Sequence, residues 1–246
     1  MTDVMLRHRR EARGLNGDAT ALGRRLVLRW SSAALLSVLA FGGRIPGLGL
    51  GDAFAQTPGG ASSRTGAAVD LGEGDVGILN YAYALEQLEA AFYTQVLKTP
   101  YGGIDSAATA VLTTIRNHEI AHRELFKAAL KKNAIPDLEV DFTKIDFGSK
   151  DSVLTTARTF EDLGVAAYNG AGQLLEKGEY LLLAGKIVSV EARHATAIRT
   201  LIGMNAASTT DQAVDEKGLD KAMLPSEVLP IAAPFIKTKV TATELD

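Results

Sequence analysis

The fold turns on two stretches, residues 116–130, RNHEIAHRELFKAAL, and residues 190–198, VEARHATAI. Each holds a Glu-x-x-His pair, Glu119 with His122 and Glu191 with His194. Residues three apart share one face of a helix, so each pair sets a carboxylate beside an imidazole. From residue 56 onward the chain has only three His, at 118, 122 and 194, and 13 Glu. Chance would place about 0.2 such pairs in that length, which makes two a signal and not a coincidence of composition.

Outward from these pairs, the apolar spacing predicts four long helices. The first runs from Asp75 to Lys98 with Leu79, Ala82, Tyr93 and Val96 on one face and Glu86 and Glu89 among them. Thr99 to Ile104 breaks it, and Asp105 is the expected N-cap of a second helix to about Lys132, with the seam Leu112, Ile115, Glu119, His122, Phe126 and Ala129. A third is expected from Lys150 to Lys177, ended by Gly178, with the seam Leu154, Ala157, Glu161, Gly164, Tyr168, Ala171 and Leu175. A fourth follows from Glu179 to about Met204, through Ala184, Ile187, Glu191, His194, Ile198 and Leu201. The connections run short, long, short. The link from Asn133 to Ser149 is long enough to cross a bundle, which lets helices two and three run parallel. The fold class expected is therefore all-α, an antiparallel four-helix bundle with a long crossover between helices two and three. It occupies residues 75–205, behind a flexible linker at 56–74 rich in Gly, Ser and Thr. Residues 206–246 form an extension in which Ser226–Phe235 is a short helix broken by Pro230 and Pro234.

The chemistry lies in the seam. Helices one and three each carry Glu-x6-Tyr, Glu86 with Tyr93 and Glu161 with Tyr168, so the chain reads as a repeated hairpin around a pseudo-twofold axis. A buried ionised carboxylate without a partner costs several kcal/mol. No Lys or Arg falls in the seam to neutralise these Glu, whereas a pair of cations would. Four carboxylates and two imidazoles suit iron or manganese, and zinc less well. The absence of Cys excludes thiolate zinc, iron–sulfur and disulfide chemistry.

Net charge is −3, but the first 55 residues hold eight of the 26 Lys+Arg and four of the 29 Asp+Glu, so the remainder carries −7. Such a body does not suit nucleic acid. Within those 55 residues Arg24 and Arg25 open RRLVLR. An apolar stretch from Trp30 to Gly43 and the triplet Ala53-Phe54-Ala55 ahead of Gln56 follow. Charge, a greasy core too short to span a bilayer, and an A-x-A site form an export signal. Its paired arginines resemble the twin-arginine signal of bacteria, which implies a translocase as partner, a folded cargo with cofactor inserted, and a periplasmic or extracellular destination.

Together, LNYAYALEQLEAAFY (79–93), RNHEIAHRELFKAAL, FEDLGVAAYNGA (160–171) and VEARHATAI resemble the ferritin-like superfamily. More narrowly they are similar to the ferritin-like domain family that includes desiccation-related proteins of plants and their exported bacterial relatives. The resemblance implies that Glu86 and Glu161 are terminal metal ligands, that Glu119 and Glu191 bridge two ions, and that His122 and His194 bind one ion each. Tyr93 and Tyr168 would then hydrogen-bond carboxylates or quench radicals. Glu89 departs from the repeat, because its counterpart on helix three is Gly164. It is read as a seventh ligand, a proton relay, or the terminal ligand in place of Glu86, with Glu86 favoured by its spacing to Tyr93.

Redox chemistry with dioxygen, peroxide or ferrous iron in stress protection is the first expectation for function, with no catalytic residue assigned. The alternative is a non-catalytic stress or desiccation-related protein of the envelope. A third reading comes from His118-Glu-Ile-Ala-His122, which spells H-E-x-x-H, the zinc-peptidase signature. It leaves Glu191-x-x-His194 and both Glu-x6-Tyr pairs without a role. On the ferritin-like reading His118 stands behind the ligands or at the surface. The partners expected are metal ions and small oxidants, and a second copy of the chain in a homo-oligomer.

Overall fold

Four helices dominate: α1 (Gly74–Lys98), α2 (Ser106–Leu130), α3 (Lys150–Gly172) and α4 (Gly178–Ile202). A shorter α5 (Pro225–Ala232) follows, and two-residue strands β1 (Val69–Asp70) and β2 (Val240–Thr241) pair in parallel. The computed structural model describes residues 68–204 and 214–246, all within one compact unit, so the expected signal at 1–55 lies outside the described residues. Among the described residues no helix is long and apolar enough to cross a membrane.

Contacts between helices give their directions. Glu86 meets Tyr168 and Tyr93 meets Glu161, so α1 and α3 are antiparallel. Glu119 meets His194 and His122 meets Glu191, so α2 and α4 are antiparallel too. Asn80, near the start of α1, bonds the carbonyl of Asn133, just past the end of α2, which makes that pair antiparallel. Helices α2 and α3 therefore run parallel, as the long connection requires. The fold is the expected all-α bundle. Asp105 caps α2 by accepting from Ala108 N at 2.7 Å, and Gly203, at φ 87°, closes α4 in the left-handed region that suits glycine.

The crossover is held by side-chain amides of α1. Asn80 donates to the carbonyls of Leu71 and Asn133 and accepts from Ile135 N, while Gln87, two turns on, accepts from Leu138 N. Farther along, Phe142 and Phe147 pack against Phe92. The connection thus travels the length of α1 and buries its outer face, which explains why Asn80 and Gln87 are buried polar residues and yet satisfied. On α3 the C-terminal segment does the same work. Met223 N donates to Ala166 O, and a Cβ on Gly170 would lie 1.9 Å from the Met223 carbonyl oxygen, so only glycine admits this backbone. Phe235 closes on Phe160 with ring centroids 4.9 Å apart, and Val140 of the crossover bridges Ile236.

Three expectations are corrected. Helix α3 ends at Gly172, not Lys177, because the amides of Glu176 and Lys177 are taken by the Asp75 carboxylate in the first turn of α1. Leu175 lies past the helix end yet still packs against the core, and Gly178 opens α4 instead of ending α3. Within the linker expected at 56–74, order is present from Val69: β1 docks on β2 and Leu71 is fully buried. Pro230 does not break α5, which runs through it to Ala232; Pro230 and Ser226 are both exposed, so the carbonyl that loses its partner can face water.

Candidate metal centre

The seam brings Glu86 and Glu89 from α1, Glu119 and His122 from α2, Glu161 from α3, and Glu191 and His194 from α4 into the bundle core. Glu119, Glu161 and Glu191 are fully buried, and Glu86 is 1 % exposed. The atoms fall into two groups. One atom from each of Glu86, Glu119, His122 and Glu191 lies within 4.8 Å of the others, and the same holds for Glu119, Glu161, Glu191 and His194. Glu119 and Glu191 belong to both groups.

Their oxygens are divided between the halves. His122 Nδ1 faces Glu191 Oε1 at 3.1 Å, Glu119 Oε2 at 3.5 Å and Glu86 Oε2 at 3.5 Å. His194 Nδ1 faces Glu119 Oε1 at 2.8 Å, Glu161 Oε2 at 3.4 Å and Glu191 Oε2 at 3.5 Å. Each shared carboxylate thus turns one oxygen to each half. The outer oxygens of the unshared pair are held across the bundle, Glu161 Oε1 by the Tyr93 hydroxyl and Glu86 Oε1 by the Tyr168 hydroxyl. The tyrosines therefore secure the carboxylate of the opposite helix, not that of their own.

Whether these residues fit metal can be tested on their hydrogen bonding. Buried polar atoms are nearly always partnered. Here Glu86 Oε2, both oxygens of Glu119 and Glu191, Glu161 Oε2, His122 Nδ1 and His194 Nδ1 are buried and lack an aligned hydrogen bond. Some lie within hydrogen-bonding distance of each other, as His194 Nδ1 and Glu119 Oε1 do at 2.8 Å, yet none is aligned to bond. Ligand atoms about 2.1 Å from one ion, at right-angle to tetrahedral spread, are about 3.0–3.4 Å apart, close to the 2.8–3.5 Å between each imidazole nitrogen and its three carboxylate oxygens. Arg199, the one Lys or Arg buried among the described residues, is paired with Asp162 at 2.7 Å and brings no charge to the cluster. The donor set fits two divalent ions.

Electrostatics give the same picture. Burial lowers the His122 pKa, but close contact with Glu119, Glu191 and Glu86 outweighs it and carries it up to about 12. His194 is raised by the same balance, burial opposed by Glu161, Glu119 and Glu191. Burial raises Glu191, yet the two imidazoles bring it down to about 2. Burial pushes Glu161 up to about 7, and lifts Glu119 and Glu89 well above the carboxylate range with help from their neighbouring carboxylates. Five carboxyl groups in one dry space do not all ionise without added positive charge.

Two residues stand beside the groups. Glu89 is 5 % exposed and in neither group, so the helix-one residue that joins a group is Glu86. His118 also joins neither. Its ring stacks on His194, with Nδ1 2.8 Å from His194 Nε2, and burial together with the neighbouring imidazoles lowers its pKa to about 4. His118 and His122 therefore do not form the two-imidazole zinc set that the H-E-x-x-H spelling predicts. What sequence reasoning missed is the Asp162–Arg199 pair that ties α3 to α4 next to Glu161. Its signal was Arg199, a charged residue directly after the apolar seam residue Ile198.

A four-helix bundle with carboxylates and imidazoles on its inner seam defines a class of carboxylate-rich helical metal-binding domains. A family model of the ferritin-like domain matches residues 74–204, just over half of the chain, and the protein belongs to that family. A search of the curated proteins gives no match.

Proposed function

We propose that this is an exported ferritin-like protein whose centre holds two iron or two manganese ions and carries out redox chemistry with dioxygen, peroxide or ferrous iron in stress protection. One observation carries the reading: buried, unpartnered ligand atoms form two groups that share Glu119 and Glu191 oxygen by oxygen. Glu86 and His122 would hold one ion, Glu161 and His194 the other, and Glu119 and Glu191 both. Ions of this kind exchange electrons with small oxidants.

The chain's own contribution is positional. Tyr93 and Tyr168 occupy the outer oxygens of Glu161 and Glu86, which leaves one oxygen of each directed inward. With His194 Nδ1 turned to the carboxylates, its Nε2–H donates to His118 Nδ1, which fixes ring and tautomer. Buried Ile115, Phe126, Ala157, Ile187 and Ile198 along the same seam keep bulk water away.

Export by the twin-arginine route is supported by Arg24, Arg25, the apolar stretch Trp30–Gly43 and the Ala53-Phe54-Ala55 triplet. Membership of the desiccation-related branch is supported by the four quoted segments. Metal content decides the first claim. The chain from Gln56 onward should hold near two iron or manganese per molecule, and the Glu119→Ala, Glu191→Ala double mutant none. Turnover of dioxygen or peroxide would then mark an oxidoreductase. Two metals without turnover would assign an envelope stress protein in which the ions offset buried carboxylates, and no metal after reconstitution would overturn the reading.

A further inference from the structure

The two hairpins repeat with fixed offsets. Adding 75 to a position on α1 gives its mate on α3, as Glu86 with Glu161 and Tyr93 with Tyr168; adding 72 to a position on α2 gives its mate on α4, as Glu119 with Glu191 and His122 with His194. Two residues at the centre break this relation. The mate of Glu89 is Gly164, and the mate of His118 is Val190.

Both departures fall on one side. A Cβ on Gly164 would lie 3.4 Å from Glu89 Oε1 and 3.8 Å from Glu191 Oε2, so the Glu89 carboxylate reaches across the bundle into the room that glycine leaves on α3. Glu191 Oε2 is the oxygen that faces His194, whereas Oε1 faces His122. The Glu89 carboxylate therefore shares the Gly164 gap with the Glu191 oxygen that faces His194, while staying outside that half's group of ligand atoms. Among the described residues it makes no hydrogen bond or ion pair that would commit it elsewhere. His118 supports the same half, since its ring lies directly behind His194. By the 72-residue offset the mate of His118 is Val190, whose side chain cannot hydrogen-bond, and among the described residues no hydrogen bond holds the far nitrogen of His122.

From this geometry we infer that the two metal positions are unequal: Glu89, standing just outside the ligand groups, adds the charge of a fourth carboxylate to the Glu161/His194 position, and that position fills first and more tightly. The inference rests on the dimetal reading above. An added anion beside a divalent ion favours binding, and an imidazole accepting from the far nitrogen of a ligating His makes that ligand more basic. The His122 position has neither aid. Two identical, independent positions would give stepwise constants only fourfold apart, by statistics alone.

The test is a titration of the metal-free chain, from Gln56 onward, with Co(II), followed by calorimetry and by the visible absorption of the bound ion. Two steps about 30-fold or more apart are expected. Glu89→Gln, which keeps shape and removes charge, should weaken the tight step by about 10–100-fold, the range for groups that support a metal ligand, and leave the weak step within about threefold. His194→Ala should abolish the tight step and His122→Ala the weak one. Steps only fourfold apart in the parent chain, no response to Glu89→Gln, or an equal loss in both steps would each overturn the inference while leaving the dimetal centre standing. Failure of the parent chain to take up Co(II) would overturn the dimetal reading beneath it. Circular dichroism of each variant separates loss of a ligand from loss of fold.

Discussion

In the α1–α2 hairpin, Glu86, Tyr93, Glu119 and His122 face the centre; in the α3–α4 hairpin, Glu161, Tyr168, Glu191 and His194 do so at the same spacing. The outer faces are unlike. Helix α1 is covered by the crossover, which docks through the amides of Asn80 and Gln87, whereas α3 is covered by the C-terminal segment, which docks on bare backbone at Gly170. A repeated hairpin thus keeps its inward residues because they answer to a shared centre. Its outward residues diverge because each hairpin meets a different piece of chain. One cover is attached by directional polar bonds, the other by close approach.

That contrast can be broken at either cover. Gly170→Ala should do most harm, about 3 kcal/mol, because its Cβ meets the Met223 carbonyl 1.9 Å away and backbone on both sides resists movement. The expected outcome in urea is a lower midpoint, with faster proteolysis within the C-terminal segment. Asn80→Ala should cost about 2 kcal/mol by leaving the Leu71 and Asn133 carbonyls and the Ile135 amide without their partner, and amide exchange should quicken along the crossover and not along the C-terminal segment. If both variants loosened the same segment, the two covers would not be independent.

The inner symmetry is sharpened by a matched pair. Tyr93→Phe and Tyr168→Phe each leave one buried carboxylate oxygen without its donor, and each should cost about 1–2 kcal/mol, measured by thermal unfolding of the metal-loaded chain. Equal losses support equivalent terminal carboxylates; a clear difference would extend the asymmetry of Glu89 to the rest of the centre. The smallest effect belongs to the exposed Lys237–Glu139 pair, where Lys237→Ala should leave the melting temperature unchanged within error, since solvent screens such pairs.

Much of the site was legible because its signal is local. Glu-x-x-His and Glu-x6-Tyr are statements about one helical face, and a face that carries both carboxylates and bulky apolar residues has to point inward. The end of α3 was not legible. Residues 173–177 continue the helical pattern, and only the Asp75 carboxylate, about a hundred positions earlier, captures the amides that would have extended it. The register of the C-terminal segment was hidden for a similar reason, since Gly170 reads as an ordinary helical glycine until Met223 is laid against it.

By itself, then, the amino-acid sequence determined the all-α class, the four helices, the crossover and five of the six seam residues that cluster in the core, with Glu86 favoured as the sixth. Helical periodicity writes each of these into residues close together in the chain. Tertiary structure grouped Glu86, which its spacing to Tyr93 had favoured, and left Glu89 outside, and it alone decided that each tyrosine secures the opposite helix and that His118 backs His194. Those outcomes depend on where a side chain's end lies relative to another helix, within an ångström or so. Such distances follow from the packing of segments far apart in sequence and are not encoded in the spacing along any one of them.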